Sequence, residues 1–419
     1  MLYNDNCSDF EYFMCKFVID DFILQHRKDD VRQLALQADR YPEVDMPYVL
    51  DQIAGWKKAK EKVPRWAECK DIIYPPHLNM EQCSSQTTAE YKRQLAAKIL
   101  GAQRKNMTLV DLTGGWGVDF SFLAQIFGKA VYVERDEHLC RLARHNMPCL
   151  GLSDAVVVND DSTKYLAELK DDRQRFFFID PARRDVQGRK VAGLESCTPD
   201  VLQLFDKMMS LASGVMMKLS PMLDWHEAVR QLRKATSQAV AFDVHILSVH
   251  NECKELLVVA THHQHPLTVT CVNDGEMFSY YAEEGMTSAI RYSNAEQLQG
   301  RRFLYVPNAS LMKAGCFPEL CARYDLEMAD ANSHLFLSQE MIPDFPGRQF
   351  EILAISSLNK REVRQTLKDL GQANVAVRNF PMTAVELRKR LHLRDGGNSY
   401  IFATTIQRKH LLFLCRPIS

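Results

Sequence analysis

Residues Leu109–Asp119 read "LVDLTGGWGVD", and the fold turns on how this stretch is understood. An apolar strand ends in the acid Asp111. A glycine-rich turn follows at Gly114, Gly115 and Gly117, and a helix begins near Val118. Glycine admits backbone angles closed to other residues and lets a ligand approach the main chain closely. A dinucleotide-binding turn would carry G-x-G-x-x-G, with pyrophosphate on the helix N-terminus. Gly115-Trp116-Gly117 supplies only the first half, and Phe120 stands where the third glycine belongs. No Gly-Lys-Ser/Thr follows, so a P-loop is excluded. The carboxylate of Asp111 is awkward beside a pyrophosphate and suits a cationic amino-acid moiety. A tight strand–helix turn with no ligand is the plain alternative.

Outward from this turn, between Met107 and about Thr261, β-rich runs alternate with amphipathic helical stretches. "TLVDL" leads to "DFSFLAQIF", "AVYVE" to "EHLCRLARHNM", and "AVVVN" to "TKYLAEL". "RFFFID" leads to "PDVLQLFDKMMSLA", and "GVMMKLS" to "WHEAVRQLRKA". Five strand–helix units call for parallel pairing with right-handed crossovers. "DVHILSVH" and "ELLVVAT" are separated only by "NECK", so that last pair is antiparallel. The expected fold is α/β and Rossmann-like, a seven-stranded sheet of five parallel strands plus a terminal antiparallel hairpin.

Acids recur at the strand ends. Glu134 closes the second strand, where α/β folds that bind nucleosides place a carboxylate for ribose hydroxyls. Asp136 reads as the cap of the next helix. Asp161 follows the third strand; a ligand contact and a helix cap are both open to it, with Asp160 and Ser162 competing for the cap. The fourth strand runs into Asp180-Pro181-Ala182-Arg183-Arg184-Asp185. Arg183 and Arg184 are suited to an acceptor phosphate or to stacking on a base; an internal ion pair with Asp185 or Asp180 is the alternative. Lys218 and Ser220, ending strand five, face the same edge. Trp116, in the variable slot of the glycine turn, reads as a shield against water.

The chain of 419 residues exceeds one typical core. Four regions are expected: a helical N-terminal domain at 1–100, the α/β domain at 101–262, a mixed connector at 263–347, and a basic α+β domain at 348–419. The last holds 13 Lys/Arg and 5 Asp/Glu, a net charge of +8 in a chain of net −1. Any anionic partner must therefore meet a local patch, and this segment is the candidate RNA-docking surface, with Arg388, Lys389, Arg390 and Arg394 on one helix and its exit; a merely solvated basic face is the plain alternative. The 12 cysteines include no C-x-x-C pair, so no zinc site is expected. His262, His263 and His265 lack an acid or cysteine at a matching offset and read as a solvated linker rather than a metal site. The start "MLYNDNCSDFEYFM" lacks a basic region followed by an apolar run, so no signal peptide is expected. The apolar runs are strand-sized, which argues against a transmembrane span. Reduced thiols and a cytoplasmic location follow as expectations.

With these features together, residues 107–261 resemble the class I S-adenosylmethionine-dependent methyltransferases. The D-x-T-G-G-x-G turn from Asp111 through Thr113 to Gly117, the acids after strands two and three, and the terminal antiparallel pair carry the likeness. It implies S-adenosyl-L-methionine as cofactor, cradled by Gly114, Gly115 and Gly117. It also implies Asp111 near the cofactor amino group, Glu134 on the ribose and Asp161 near the adenine. The segment "MEQCSSQTTAEYKRQLA" resembles the lead-in of RNA methyltransferases. That makes Gln82, Ser84, Ser85 and Thr88 candidate contacts, though serine capping of a helix explains the segment equally well. Nucleic-acid members carry Asp/Asn/Ser-Pro-Pro-aromatic after strand four. Here Asp180 and Pro181 match and the aromatic is missing, while Asp180, Pro181 and Arg183 are the implied acceptor-side residues. "YPPHLNMEQCSS", "DLTGGWGVDF", "IDPARR" and "YVPNASLMKAG" together resemble a group of bacterial methyltransferases with a C-terminal THUMP-like domain, and more distantly the trimethylguanosine synthases. The expected activity is methylation of tRNA or rRNA, with an exocyclic amine such as guanine N2 as target. A small-molecule or protein methyltransferase and a non-catalytic RNA-binding scaffold are the rivals.

Overall fold

The run Arg175–Ile179 forms a strand buried on both sides: Phe176, Phe177, Phe178 and Ile179 are each 1% exposed or less. Only a strand covered on both faces tolerates such an uninterrupted apolar run. In the computed structural model, which describes residues 19–75, 77–170, 172–183, 193–282, 289–296, 298–368 and 370–418, this strand is β4. It lies between β1 (Thr108–Asp111) and β7 (Gly214–Leu219), parallel to both. β2 (Lys129–Glu134) and β3 (Val156–Asn159) continue the parallel array on the other side of β1.

β8 (Ala241–Val249) and β9 (Glu252–Thr261) are joined by His250 and Asn251 alone, both at positive φ (52° and 57°). Two left-handed residues make the tight turn whose twist suits a hairpin. The sheet order is β11-β10-β8-β9-β7-β4-β1-β2-β3. The seven expected strands are thus present, and two more extend the sheet. β10 (Thr268–Asn273) runs parallel to β8, and β11 (Glu276–Tyr281) pairs antiparallel with β10. Their turn is Asp274-Gly275, again both at positive φ. An Asp-Gly pair flanked by β-branched residues is a hairpin signal, and it is the cue by which this extension is legible in the sequence.

Two compact units organise the chain. One comprises Met1–Leu219, His226–Val240 and Val259–Gln264; the other comprises Ser220–Trp225, Ala241–Val258 and His265–Ser419. In the first, helices precede the sheet as the periodicity predicts, among them Met46–Lys62 and Gln86–Leu100. The expected first helix, "FEYFMCKFVIDDFILQ", lies partly outside the described residues, and residues 19–25 of it are helical.

In the second unit a seven-stranded sheet has the order β13-β14-β12-β15-β18-β17-β16. β12 (Phe303–Pro307), β13 (Glu327–Met328) and β14 (Phe336–Ser338) form one side. The remainder is built from residues 347–417. β15 (Gly347–Ser357) and β18 (Lys409–Pro417) are antiparallel, as are β17 (Tyr400–Ile406) and β18, while β16 (Asn374–Arg378) is parallel to β17. The strand period of two divides its core. Ile401, Ala403 and Leu412 face Val363, Leu367, Leu387 and Leu391 of the helices Lys360–Thr366 and Ala384–Arg390 and the residues just after them. Phe402, Phe413 and Cys415 face the opposite way, against Leu304 and Leu337.

Replacing Phe177 by Ala removes a fully buried ring from the central strand. The expected cost is about 3–5 kcal/mol, read as a lowered denaturation midpoint of the unit containing β4 with its slope unchanged.

Candidate active site

The turn after β1 is held by the main chain and by absent side chains. The Gly114 N–H donates to Val133 O at 2.9 Å, and Gly117 N–H to Gly114 O at 2.9 Å. A Cβ on Gly114 would lie 2.3 Å from the Tyr132 ring, and one on Gly117 (φ +88°) 2.4 Å from Met147 Cε. These two glycines are therefore fixed by close packing. At Gly115 (φ +57°) a Cβ would meet only Thr113 O, at 3.7 Å, so the middle of the turn is open. The Tyr132 hydroxyl donates to Gly115 O and braces the turn from beneath.

The acids converge on this turn. Asp111 is 1% exposed and accepts from the Thr113 N–H at 2.9 Å. Burial raises its pKa well above the usual range, and the neighbouring carboxylates Asp119, Asp180 and Glu134 push it the same way against the Thr113 N–H. Glu134 accepts from the Gly115 N–H through Oε2 and from the Asp136 N–H through Oε1, both at 2.9 Å. Asp136 caps the helix Glu137–Cys149. Asp161 caps Ser162–Glu168, accepting from the Thr163 N–H at 2.9 Å. Next to it, Ser162 Oγ donates to Leu112 O at 2.6 Å, which ties the end of β3 to the glycine turn.

On the acceptor side the Asp180 N–H donates to Thr113 Oγ1 at 2.6 Å. One threonine thus joins the end of β4 to the turn after β1. The Asp180 side chain is 38% exposed, and its Oδ2 meets Lys218 Nζ of β7 at 2.5 Å. Enclosure at the strand end raises its pKa, while Lys218 pulls in the opposite direction. Pro181 is buried. Ala182 and Arg183 form a two-residue strand (β5) against Cys197 and Thr198 (β6). Arg184 and Asp185 lie outside the described residues.

Behind these groups is a buried ion cluster. Lys92, 0% exposed, meets Asp119 Oδ1 at 2.8 Å and donates to Ser84 Oγ at 2.9 Å. Ser84 Oγ donates to Asp119 Oδ2 at 2.6 Å, and Lys218 Nζ is 3.7 Å from that same oxygen. Burial alone would protonate Asp119, but Lys92, Lys218 and Ser84 outweigh it and hold its pKa below the usual carboxylate range. Ser84 therefore joins the site through Asp119. Ser85 caps the helix Gln86–Leu100, accepting from the Thr88 N–H at 3.2 Å, and Gln82 is exposed at the end of the helix His77–Gln82. Sequence reasoning missed Lys92 and Asp119. Their signal was faint, a lysine and an aspartate on the apolar faces of two helices.

Trp116 is 5% exposed and packs on Trp66 (ring centroids 4.5 Å apart) and Tyr74 (6.0 Å). Its indole N–H has no partner among the described residues. His262 faces the carbonyls of Met209 and Ala212 at 3.0 and 3.2 Å, and His265 stands 3.4 Å from Asp243. Among the described residues no His/Cys/Asp/Glu group is arranged to hold a metal ion, and no helix is long and apolar enough to cross a membrane.

The lining suits a cationic ligand. An open glycine main chain lies beside buried acids, and among the described residues Asp111 has no cation against it. The carboxylates here already disfavour one another's ionisation; a sulfonium or an ammonium group would relieve that repulsion, and a polyphosphate would add to it.

Comparison with known proteins agrees. Residues 347–417 match the family described as THUMP domain-like, and residues 303–346 one described as a ferredoxin-like domain. A crystal structure from Porphyromonas gingivalis W83, described as a methyltransferase, is similar over 100% of both chains, with 27% identity and a TM-score of 0.80. An uncharacterized S-adenosylmethionine-dependent methyltransferase of Mycobacterium tuberculosis, found in two strains, is 24% identical over 80% of this chain and 88% of its own. Sheet order, glycine turn and relatives together define a class I methyltransferase, an enzyme that uses S-adenosylmethionine. A THUMP-like domain forms its C-terminal end.

Lys92→Met leaves a buried carboxylate short of a cation. The expected loss is about 3–5 kcal/mol of stability, measurable by urea denaturation.

Proposed function

We propose that this enzyme methylates RNA, tRNA or rRNA, at an exocyclic base amine such as guanine N2. The observation that carries the reading is the Thr113–Asp180 bond of 2.6 Å. It anchors the main chain of Asp180, at the position where amine-methylating members of the class often keep Asp, Asn or Ser, against the glycine turn. S-adenosylmethionine, when bound, supplies an electrophilic methyl group on a sulfonium. The protein's task is then mostly positioning. Asp180 accepts a hydrogen bond from the acceptor amine and turns its lone pair toward the glycine loop. Pro181 fixes the main chain there, and Arg183 holds the acceptor strand.

On the cofactor side, Gly114, Gly115, Gly117 and Thr113 shape the cradle. Asp111 takes the amino group, Glu134 the ribose and Asp161 the adenine, while Gln82 and Ser85 close over it from the lead-in segment.

Residues 348–419 supply the RNA-docking surface. Supporting this are the THUMP-like match and the net +8 of the segment. Its helices Lys360–Thr366 and Ala384–Arg390 pack on one face of the sheet. Three acids on this layer are engaged internally: Glu362 with the Ser357 N–H, Glu386 in the Thr383 capping box, Asp395 with Arg388. Lys389, Arg390 and Arg394 are exposed. Free cysteines among the described residues accord with action in the reducing cytoplasm. The alanine at 182, where nucleic-acid enzymes carry a proline and then an aromatic, favours a second reading in which the acceptor is a small molecule or a protein. RNA affinity separates the two: it should fall steeply between 50 and 200 mM salt, by roughly tenfold or more, through counterion release. Salt-independent turnover on a non-nucleic acceptor would favour the second.

The central test is labelled-methyl transfer to total tRNA and rRNA, followed by nucleoside analysis. Asp180→Ala should lower transfer about 100-fold with calorimetric cofactor affinity nearly intact. Glu134→Ala should instead weaken cofactor binding about tenfold, the loss of one good hydrogen-bonded contact. Transfer retained in Asp180→Ala would remove that residue from the acceptor site.

A further inference from the structure

Asp180 presents its two oxygens differently. Oδ2 is taken by Lys218 at 2.5 Å. Among the described residues Oδ1 has no partner, and the side chain is 38% exposed. Lys218 is itself confined. Its side chain is 11% exposed, and its ammonium stands between Asp180 and Asp119, which Lys92 and Ser84 hold in place. A lysine on a flexible stem ordinarily wanders in solvent; here the strand, the helix Val118–Leu123 and the buried cluster leave it one place.

We propose that Lys218 is the positioning residue of the acceptor site. Its ammonium clamps Asp180 by Oδ2, keeps that carboxylate anionic, and thereby presents Oδ1 as a pure hydrogen-bond acceptor. The consequence for substrate is chemical. An anionic oxygen fixed in this way favours an acceptor that carries an N–H, such as an amine or amide nitrogen. It disfavours acceptors that offer only lone pairs. The inference deepens the RNA-amine reading above and rests on it for the identity of the acceptor, though not for the state of Asp180.

Among the described residues, the titratable and charged groups around Asp180 are Lys218 on β7, Asp119 and Lys92 on two helices, and Asp111 at the end of β1. Lys62 and Cys83 stand beyond Lys218. Enclosure and the neighbouring acid Asp119 favour protonation of Asp180, and Lys218, in contact with it, opposes them. Ionised, Asp180 offers only acceptor oxygens; protonated, it carries an O–H donor and a weaker acceptor, so activity falls as pH drops through its pKa. Loss of the cation raises that pKa and moves the acid limb to higher pH.

The experiment follows Asp180 directly in the full-length protein by carbon NMR of aspartate carboxyls, with Asp180→Asn assigning the resonance. In parallel, pH profiles of methyl transfer to total tRNA and rRNA are recorded. In Lys218→Met the Asp180 titration should move up by roughly one to three pH units, with the acid limb of kcat/KM moving with it. Cofactor affinity should stay near wild type, and Lys218→Arg should restore both profiles. If Lys218→Met does not fold, Lys218→Gln, which keeps a donor without the charge, should show the same upward shift. An Asp180 titration that stays put in the neutral variants overturns the proposal, as does Lys218→Arg behaving like Lys218→Met. Wild-type enzyme that fails to methylate RNA would overturn the RNA reading alone, because the carboxyl titration decides the role of Lys218 without substrate.

Discussion

Asp119 is a carboxylate 8% exposed, ionised in the interior because Lys92 and Lys218 flank it and Ser84 donates to it. Ions withdrawn from water cost several kcal/mol each, so this cluster persists only if its members meet together. That requirement constrains much of the first unit. Lys92 comes from the helix Gln86–Leu100, Ser84 from the segment before it, Asp119 from the helix after the glycine turn, and Lys218 from β7. Four separate parts of the chain must be in register before the charges balance. The cluster thus adds little net stability and much specificity: a misplaced lead-in helix would strand a buried charge.

The glycine turn stands in front of that cluster and is shaped by the same economy of space. Gly114 and Gly117 are required by the Tyr132 ring and the Met147 methyl. Gly115 is required by its positive φ and is left open. Around it, main-chain N–H groups are satisfied by side chains of the sheet edge: Thr113 by Asp111, Gly115 by Glu134, Asp180 by Thr113. Each acid therefore has a structural bond as well as a charge. A carboxylate already fixed by the main chain needs little reorganisation to meet a cationic ligand.

In the second unit, one sheet carries two families of contact. Strands β12 to β14 align with the ferredoxin-like match, and β15 to β18 with the THUMP-like match, yet Phe402 and Phe413 pack against Leu304 and Leu337 in a common core. The basic helices lie on the other face, where Leu387 and Leu412 bury their apolar side. Glu362, Glu386 and Asp395 are engaged there in capping and pairing, and Lys389, Arg390 and Arg394 are exposed to solvent.

The parallel strands, their helices and the glycine turn were legible because each is encoded locally. Period-two and period-3.6 apolar patterns separate strand from helix, and "DLTGGWGVD" states its own turn. The acids at the ends of β1 and β2 were legible for the same reason, since a strand end in such a sheet is already a position in space. The β10–β11 extension was written in the Asn273-Asp274-Gly275 turn and overlooked beside the histidines that precede it. What no local pattern determines is which charges meet. Ser85 and Asp161 cap helices, one of the two roles the sequence left open for each; Lys92, of a residue type seldom fully buried, is 0% exposed. Residues 84, 92, 119 and 218 are far apart in sequence, and only the packing of the lead-in helix on the glycine-turn helix brings them within bonding distance. The sequence by itself determined the strand order's ingredients and the glycine turn. The tertiary structure alone decided the ion cluster and the hold of Lys218 on Asp180, because a buried charge takes its meaning from its neighbours in space.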